Sequence, residues 1–344
     1  MAKSWDKIKI VTENKEGVEA QAPIIISASR ATDIPAFYSD WFIHRLKSGY
    51  IKWINPFNGM PLYVSFNKAR LFVFWSKNPK SLLKHIFHLN EQNYNYYFQY
   101  TLNDYDKTIE RNVPSLESRI ETFIELSEKI GKEKVIWRFD PLILTNEIGI
   151  EELLRKLETI GNQLKEYTNK LVFSFADIKL YKKVQNNLRK ATINYTEFNE
   201  RTSYEIASGL QELNKTWKFK EIGTCAEQLD LKKFGIIHNK CIDDDLMIKL
   251  FSKDKILMDF LGYKPISEKT SLFAQEPLIE YKNNTLKDKG QREFCGCIMS
   301  KDIGQYNTCP HLCEYCYANT SKEIALQNYK SHKENPLSET IIIK

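Results

Sequence analysis

Short, largely apolar runs alternate along most of the chain with longer stretches whose apolar positions repeat at helical spacing. Two of those stretches, 113–130 and 150–164, carry apolar side chains three or four residues apart, which is typical of a helix packed on one side. The runs themselves are typical of strands buried on both faces. They lie at residues 23–27, 71–75, 96–101, 135–139, 171–175 and 219–223. The alternation predicts six strand–helix units.

Six such units predict an α/β fold with a parallel sheet, because right-handed crossovers bring consecutive strands side by side. A partial TIM-like (β/α)6 barrel and a doubly wound open sheet both satisfy this pattern. Periodicity alone does not separate them. In either architecture the chemistry is expected at the carboxyl ends of the strands.

The segments outside these units divide the chain into three parts. Residues 1–22 have the alternation of a β-hairpin or arm. We assign residues 23–262 to the (β/α)6 barrel core. Residues 263–344 form a C-terminal, cysteine-rich part, which begins with a polar, lysine-rich surface connection over 263–292 and ends with a helix and a loose tail over 320–344.

Composition narrows the class of protein. The 344 residues include 50 Lys and Arg against 44 Asp and Glu, which gives a formal charge of +6, and 42% are hydrophobic, as is usual for a globular protein. This mild charge permits a nucleic-acid partner but does not indicate one. The sequence has no apolar segment of the signal-peptide kind and no long apolar run. We therefore expect a cytoplasmic protein that makes no use of the membrane.

Five of the seven cysteines lie between Cys295 and Cys316, a clustering that indicates metal ligation in a reducing compartment rather than disulfides. Cys309, Cys313 and Cys316 are spaced C-x-x-x-C-x-x-C. A tight loop with this spacing can present three thiolates to a [4Fe–4S] cluster and leave the fourth iron open for chemistry. A structural zinc site is the alternative, although zinc sites favour pairs of C-x-x-C motifs.

The same segment resembles the radical S-adenosylmethionine (SAM) signature. Tyr315 occupies the aromatic position that packs near the adenine in that superfamily, and Cys316-Tyr317-Ala318 is similar to the ending found in spore-photoproduct-lyase-like members. The resemblance implies that SAM chelates the open iron and that a reductant such as flavodoxin or ferredoxin supplies an electron. The 5′-deoxyadenosyl radical then abstracts hydrogen from a substrate. The resemblance also implies a six-unit partial barrel.

The order of parts differs from that superfamily, whose cysteine loop usually follows the first strand. Here the loop follows the sixth unit, as in a circular permutation. If the strands form a ring, the loop can still reach the carboxyl end of the barrel, its mouth, beside the first strand. The whole layout resembles an uncharacterised prokaryotic family known as a domain of unknown function. That family is noted for a C-terminal cysteine cluster similar to the N-terminal cluster of radical SAM proteins. The motifs that carry this likeness are S-A-S-R-A-T-D-I-P, W-R-F-D-P, C-A-E and D-I-G-x-Y.

Polar residues mark the carboxyl end of each predicted strand, where a β/α barrel assembles its chemistry. Arg138 lies inside an apolar run, so its charge needs a partner or a ligand. We expect either an ion pair with Asp140 or Asp177, or a clamp for the carboxylate of SAM or of an acidic substrate. The candidate catalytic residues are Arg138, Asp140 and Lys77, and the candidate cofactor-binding residues are Tyr315, Ser27, Arg30, Gln99 and Ser174.

The four remaining cysteines, Cys225, Cys241, Cys295 and Cys297, predict a second metal centre, for which an auxiliary [4Fe–4S] cluster is the first candidate. Cys295 and Cys297 form a C-x-C pair, and Cys225 lies at the end of the sixth strand, where the C-terminal segment must return. The alternative is that Cys225 and Cys241 are small buried apolar residues.

Together these observations predict a radical SAM enzyme with one or two [4Fe–4S] clusters, acting on a substrate in the barrel mouth. The alternative is a nucleic-acid-binding or scaffold protein stabilised by zinc, which a basic stripe with interleaved aromatic residues would support. The lysines are instead scattered among acidic residues, and the aromatic residues lie mostly in predicted strands. A zinc protein is colourless and a cubane protein is brown, so an absorbance spectrum separates the two predictions.

Overall fold

The computed structural model describes residues 5–263 and 286–343. Residues 264–285, which make up most of the predicted surface connection, lie outside the described part. The strands are Asp6–Val11 (β1), Gly17–Ala22 (β2), Ile25–Ala28 (β3), Tyr50–Ile54 (β4), Pro61–Ser65 (β5), Leu71–Ser76 (β6), Asn95–Thr101 (β7), Val135–Leu142 (β8), Leu144–Thr145 (β9), Lys170–Phe175 (β10), Tyr195–Thr196 (β11), Glu221–Thr224 (β12), Ile236–His238 (β13) and Lys301–Asp302 (β14). The α-helices are Ile34–Phe37 (α1), Ser39–Ser48 (α2), Lys80–Leu83 (α3), Ile86–Glu91 (α4), Leu116–Ile130 (α5), Ile150–Leu164 (α6), Lys182–Lys190 (α7), Glu200–Trp217 (α8), Asp244–Phe251 (α9), Lys255–Leu261 (α10) and Lys322–Glu334 (α11).

Eight of these strands form one parallel sheet in the order β13–β12–β10–β8–β7–β6–β3–β14. The six predicted strands lie side by side in chain order, without a reversal. The sequence pattern does not predict β13 and β14, because strands of two or three residues are too short to leave a period. The α/β class and the parallel sheet are confirmed, but within the described residues the sheet has eight strands rather than six, and these strands do not close into a ring.

The two faces of this sheet are covered differently, because successive side chains of a strand point to opposite faces. One face, here called the helix face, packs against residues of α2 to α8 and contributes Phe72, Phe74, Phe98, Trp137 and Phe173 to the larger hydrophobic core. The other, here called the cysteine face, packs against α9, α10 and the segment 295–298. Its apolar members on the strands include Ile25, Leu71, Val73, Tyr97, Ile136 and Val172. The helices that cross between the core strands thus all lie on the helix face.

Helices begin where local sequence signals predict them. The side chain of Asn199 accepts a hydrogen bond from the amide of Thr202 at the start of α8, and the Thr202 hydroxyl accepts one from the Asn199 amide. Asp243 caps α9 by accepting hydrogen bonds from the amides of Asp245 and Leu246. Such caps satisfy backbone amides that have no partner within the helix.

The N-terminal hairpin β1–β2 belongs to a second, four-stranded sheet in the order β1–β2–β5–β4. The C-terminal tail packs beside it, so the prediction of a loose tail is wrong. The amide of Lys52 donates to the carbonyl of Glu339 at 2.8 Å, and Trp41 Nε1 donates to the carbonyl of Ser338 at 2.8 Å. Ile341 is 1% exposed. An extended tail held by single backbone hydrogen bonds leaves no periodic pattern in the sequence.

β14 joins the C-terminal segment to the first strand of the core. Its Asp302 carboxylate accepts hydrogen bonds from Ser27 Oγ, the Arg30 amide and the Gly304 amide, each at 2.8 Å. Glycine is required at 304 by close approach, since a Cβ there would lie 1.8 Å from Ser29 Oγ. The motifs S-A-S-R-A-T-D-I-P and D-I-G-x-Y therefore contact each other. This contact sets where the following cysteines begin.

Candidate functional site

Residues 309–316, here called the three-cysteine loop, lie over the carboxyl ends of β3, β6 and β7. His311 Nε2 lies 2.9 Å from Asp33 Oδ2, and the same carboxylate accepts hydrogen bonds from Ser76 Oγ and the Lys77 amide, both at 2.7 Å. Cys313 forms an antiparallel bridge with Glu110, in the connection that follows β7. A loop that comes late in the chain is thus fixed to the first three strands of the core.

The cysteine side chains of this loop lie close enough together for the charge of one to affect the next. Burial raises the pKa of Cys309 well above its usual value, and the thiolates of Cys316 and Cys313 raise it further. Burial also raises the pKa of Cys313, to about 12, and that of Cys316. Three cysteines within eight residues, each at least partly buried, are a donor set of the kind that binds a metal through thiolates.

A buried ionic network supports the three-cysteine loop. Lys77 Nζ donates to Glu110 Oε1 at 2.8 Å and to Tyr315 OH at 2.6 Å, and Tyr315 OH donates to Glu110. Burial alone would raise the pKa of Glu110, but the cations of Lys77 and Arg119 lower it below its usual value. The carboxylate is therefore charged and paired away from water. Because Tyr315 lies between the last two cysteines, the network fixes the backbone that carries them.

Cys225, Cys241, Cys295 and Cys297, here called the four-cysteine group, come together on the cysteine face. The sulfurs of Cys225 and Cys241 are 3.5 Å apart. Cys297 Sγ accepts hydrogen bonds from the amides of Cys241 at 3.1 Å and Ile242 at 3.4 Å, and Cys295 lies two residues before Cys297 in the chain. Two members follow β12 and β13, and two precede β14. Segments that adjoin opposite edges of the sheet therefore meet at this group.

Arg138 lies between the four-cysteine group and Asp140. Its guanidinium donates to Asp140 Oδ2 from Nε at 3.1 Å, to Gln99 Oε1 at 3.0 Å and to Cys241 Sγ at 3.0 Å. Ser174 Oγ donates to the other oxygen of Asp140. Burial alone would raise the pKa of Asp140, but Arg138 and the Ser174 hydrogen bond lower it below its usual value. The expected ion pair between Arg138 and Asp140 is thus present.

Asn103 connects the surroundings of the two cysteine groups. Its Oδ1 accepts a hydrogen bond from the Asp140 amide at 2.9 Å, and its Nδ2 donates to Tyr315 OH at 3.0 Å. A continuous series of hydrogen bonds therefore runs from Cys241 through Arg138, Asp140 and Asn103 to the tyrosine of the three-cysteine loop. The polar residues between the two groups form one network.

Arg30 is a second arginine beside the four-cysteine group. Its guanidinium lies over the ring of Trp75, 5.2 Å from the centroid. Burial lowers the pKa of Arg30, but the nearby Cys297 and Cys241 raise it above the usual value. Its second terminal nitrogen is buried and makes no hydrogen bond with the part of the chain that the structure describes. A buried cationic donor of this kind is suited to an anionic partner.

The residues predicted from the sequence all lie near the carboxyl edge of the sheet, and most already have protein partners. Ser27 is bonded to Asp302, Lys77 to Glu110, and Gln99 Nε2 donates to the carbonyl of Cys241 at 3.0 Å. Asp177, the other expected partner of Arg138, instead pairs with Arg292 at 2.5 Å. The predicted residues that have such partners are Ser27, Lys77, Gln99, Arg138, Asp140, Ser174 and Tyr315.

Sequence reasoning missed several polar residues that hold this region together. Asp33 lies inside the motif S-A-S-R-A-T-D-I-P, and His311 lies between two loop cysteines, so both had a signal in the sequence. Asn103 and Glu110 lie in the irregular connection between β7 and α5. No spacing or period marks them there, because their roles depend on contacts with distant segments.

An acidic trio lies outside this region. Among the described residues, Asp243, Asp244 and Asp245 are the one set of three whose ligand atoms all lie within 4.8 Å of one another. Asp243 caps α9 and lies 3.3 Å from Lys170 Nζ. Lys240 Nζ pairs with Asp244 at 2.5 Å and with Asp245 at 2.8 Å. These carboxylates cap α9 and pair with Lys170 and Lys240, so we do not treat them as a metal site.

Comparison with known proteins identifies the family. A family model described as a domain of unknown function (DUF1848) matches residues 25–318. The chain belongs to this family. The match covers the eight-stranded sheet and both cysteine groups. Membership in the DUF1848 family thus confirms the resemblance to an uncharacterised family.

The other comparisons add little. No curated protein matches the chain significantly. Among solved structures, a provisionally assigned α-L-fucosidase from Bacteroides thetaiotaomicron VPI-5482 aligns with 11% identity and a TM-score of 0.26, over 57% of this chain and 75% of that chain. A likeness this weak carries no conclusion about fold or activity. None of the described helices is long and apolar enough to cross a membrane.

Proposed function

We propose that the protein is a radical SAM enzyme whose three-cysteine loop holds a [4Fe–4S] cluster with one iron open to SAM. The observation that carries the proposal is the placement of Cys309, Cys313 and Cys316 in one loop over the carboxyl edge of a parallel sheet, where His311 meets Asp33 and Cys313 bridges to Glu110. Three thiolates leave the fourth iron of a cubane without a protein ligand. When bound, the cluster and SAM would supply reductive cleavage to a 5′-deoxyadenosyl radical, with flavodoxin or ferredoxin as the electron donor.

The finer architecture that accompanies this proposal is a partial TIM-like barrel with the cysteine face inside. The core strands follow chain order and their crossover helices cover a single face, whereas a doubly wound sheet reverses its order and carries helices on both faces. The amide of Ile298 donates to the carbonyl of Ile242 at 3.1 Å. This bond joins segments next to opposite edges of the sheet, which supports curvature around the cysteine face.

The ionic network has a positioning role in this proposal. Lys77 and Glu110 hold Tyr315 by short hydrogen bonds, so the loop backbone keeps one conformation whether or not the metal is loaded. A preorganised loop spends no binding free energy on ordering its ligands. Lys77 is thus a positioning residue rather than a catalytic one.

Arg30 is the residue we assign to a carboxylate of SAM or of the substrate. Arg138 already donates to three protein acceptors, which leaves it little capacity for a ligand. Arg30 instead has a buried nitrogen without a hydrogen bond to the described residues. A guanidinium can bind a carboxylate through two parallel hydrogen bonds. Arg138 and Asp140 therefore position their neighbours, and Arg30 contacts the ligand.

The test is SAM cleavage by anaerobically reconstituted protein. Iron, sulfide and dithionite are supplied, and 5′-deoxyadenosine is quantified by chromatography. We expect the wild type to form it, the variant C309A/C313A/C316A to form none, and E334A, at the exposed end of α11, to match the wild type. Cleavage that persists in the triple variant, or a wild type that takes up no more iron than this variant, would contradict the proposal.

A further inference from the structure

The four-cysteine group is separate from the three-cysteine loop in sequence and in surroundings. Its sulfurs lie on the cysteine face among Arg138, Arg30 and backbone amides, whereas the loop rests on the Lys77–Glu110 pair. Each of its members is at least partly buried, and none forms a disulfide. Four thiols gathered from distant segments need an explanation of their own.

The separation of one sulfur pair matches the geometry of a single metal ion. Around one zinc ion with Zn–S bonds of 2.3 Å, tetrahedral geometry places neighbouring sulfurs about 3.8 Å apart. The sulfurs of Cys225 and Cys241 are 3.5 Å apart. The ligands of a cubane bind different irons and stand farther from one another. The auxiliary [4Fe–4S] cluster expected from the sequence would need this pair to separate.

The four thiols are gathered on one face without forming a complete tetrahedron. The sulfurs of Cys225 and Cys241 are in contact, Cys297 Sγ accepts a hydrogen bond from the Cys241 amide, and Cys295 lies two residues before Cys297 in the chain. Among the described residues, no three of these sulfurs lie mutually within 4.8 Å. A bound ion would draw the sulfurs of Cys295 and Cys297 towards the Cys225–Cys241 pair to complete a tetrahedron.

Charge and hydrogen bonding around the group match such an ion. Four thiolates and one divalent cation leave two negative charges, and the guanidinium of Arg138 donates to Cys241 Sγ at 3.0 Å. The two amides that donate to Cys297 Sγ supply further stabilisation of a thiolate. A buried anionic centre requires compensation of this kind.

We propose that Cys225, Cys241, Cys295 and Cys297 bind one zinc ion through four thiolates, and that this closed site fastens the C-terminal segment to the cysteine face. The ligands come from the ends of β12 and β13 and from the chain before β14, so the ion links both edges of the sheet. A site with four protein ligands has no open position and is structural. The proposal goes beyond the proposed SAM chemistry and does not depend on it.

Metal analysis of four proteins, purified without reconstitution, tests the site. We expect about one zinc per chain in the wild type and in C309A/C313A/C316A, and none in C295A/C297A. The matched control D245N alters the acidic trio and should retain its zinc. Cobalt(II) added to the metal-free wild type should give an intense thiolate-to-cobalt absorption and the visible bands of tetrahedral coordination.

Two results would overturn the inference. Wild-type protein that binds no zinc and gives no tetrahedral cobalt spectrum has no such site; this measurement needs no variant and so holds even if C295A/C297A fails to fold. A reconstituted wild type that carries about four more irons per chain than C295A/C297A would instead show the cubane predicted from the sequence. Failure of SAM cleavage leaves the zinc result unaffected, so the two proposals fail separately.

Discussion

The two cysteine groups meet the same edge of the same sheet and differ in how their ligands are supplied. The three-cysteine loop takes all its thiols from residues 309–316, and its support comes from charged side chains such as Lys77 and Glu110. The four-cysteine group draws its thiols from three separate segments, and its sulfurs are bonded by backbone amides and Arg138. A metal centre with three ligands from one loop keeps a coordination position open. An ion with four ligands from distant segments has no open position and holds those segments together. The comparison assigns chemistry to the first group and structure to the second.

The largest contrast is expected between one cysteine of each group. Cys313→Ala should reduce SAM cleavage to background, because it removes a proposed ligand of the reactive cluster, and should leave the melting temperature almost unchanged. Cys241→Ala should lower the melting temperature by several degrees, because it removes a ligand of the ion that joins distant segments. Chromatography of 5′-deoxyadenosine and calorimetry on both variants measure the contrast. A similar profile for the two variants would remove the distinction between the groups.

The ionic support of the loop should carry the next largest effect. Lys77→Met leaves Glu110, which is 1% exposed, without its closest cation. Arg119 remains 3.8 Å from this carboxylate and compensates part of its charge. A fully unpaired buried charge costs about 3 kcal/mol or more, so we expect a loss of up to about 3 kcal/mol in the free energy of unfolding, measured with urea.

The control variant also removes the negative charge of Glu110. K77M/E110Q should recover part of the lost stability, since glutamine carries no charge and still accepts a hydrogen bond from Tyr315. Zinc content should be unaffected in both variants. A single variant as stable as the wild type would mean that the network does not hold the loop.

Acid should lower the free energy of unfolding through His332, which packs on the same side of the molecule as the three-cysteine loop. This residue of α11 is 4% exposed, and its ring lies 4.7 Å from that of Tyr38, whose hydroxyl donates to the carbonyl of Thr308 at 2.5 Å. Burial lowers the pKa of His332 to about 4. In the unfolded chain the histidine pKa is about 6.5. Between about pH 4 and pH 6.5 the unfolded chain therefore binds more protons than the folded one. Stability is complete above about pH 6.5 and falls as the pH drops towards 4.

At pH 5 this linkage amounts to at most about 2 kcal/mol, from 1.36 kcal/mol per pKa unit. His332→Phe should remove that part of the pH dependence, because phenylalanine fills the aromatic pocket without titrating. Urea unfolding of both proteins at pH 5 and pH 7.5 provides the measurement. Identical slopes of stability against pH would show that His332 is not the titrating group.

The smallest effect concerns the arginine beside the four-cysteine group. Arg138→Lys keeps a positive charge but lacks the fork that reaches Asp140, Gln99 and Cys241 together. We expect the affinity for zinc to fall about tenfold, the lower end of the effect of residues that orient metal ligands. Chelator competition measures it, with Arg201→Lys on the exposed face of α8 as the control. An unchanged affinity would mean that this arginine does not stabilise the thiolates.

The fold was predictable to the extent that it rests on local patterns. The apolar runs identified the six core strands, and the spacing at 113–130 and 150–164 identified α5 and α6, since both kinds of signal arise within the element itself. β13 and β14 have too few residues for such a signal. The tail around Ile341 owes its place to contacts with α2 and β4, which no local pattern records.

The candidate site divides in the same way. The spacing of Cys309, Cys313 and Cys316 pointed to the loop, and polar strand ends pointed to the residues around it. Glu110 and Asn103 lie in an irregular connection. Their partners, Lys77 for Glu110 and Asp140 for Asn103, are each more than thirty residues away along the chain. The distance between the sulfurs of Cys225 and Cys241 is set by the fold, and no local sequence pattern gives it. The sequence could therefore group these cysteines but not choose between one ion and a cubane.

The electron paramagnetic resonance spectrum of the reduced, anaerobically reconstituted protein, recorded with and without SAM, tests the central claim most directly. We predict a [4Fe–4S] signal whose shape changes when SAM is added, because SAM binds the open iron, and the absence of that signal from Cys313→Ala. A signal that SAM leaves unchanged would mean that the cluster has no open iron. Protein that remains colourless and gives no signal would contradict iron–sulfur chemistry at the three-cysteine loop.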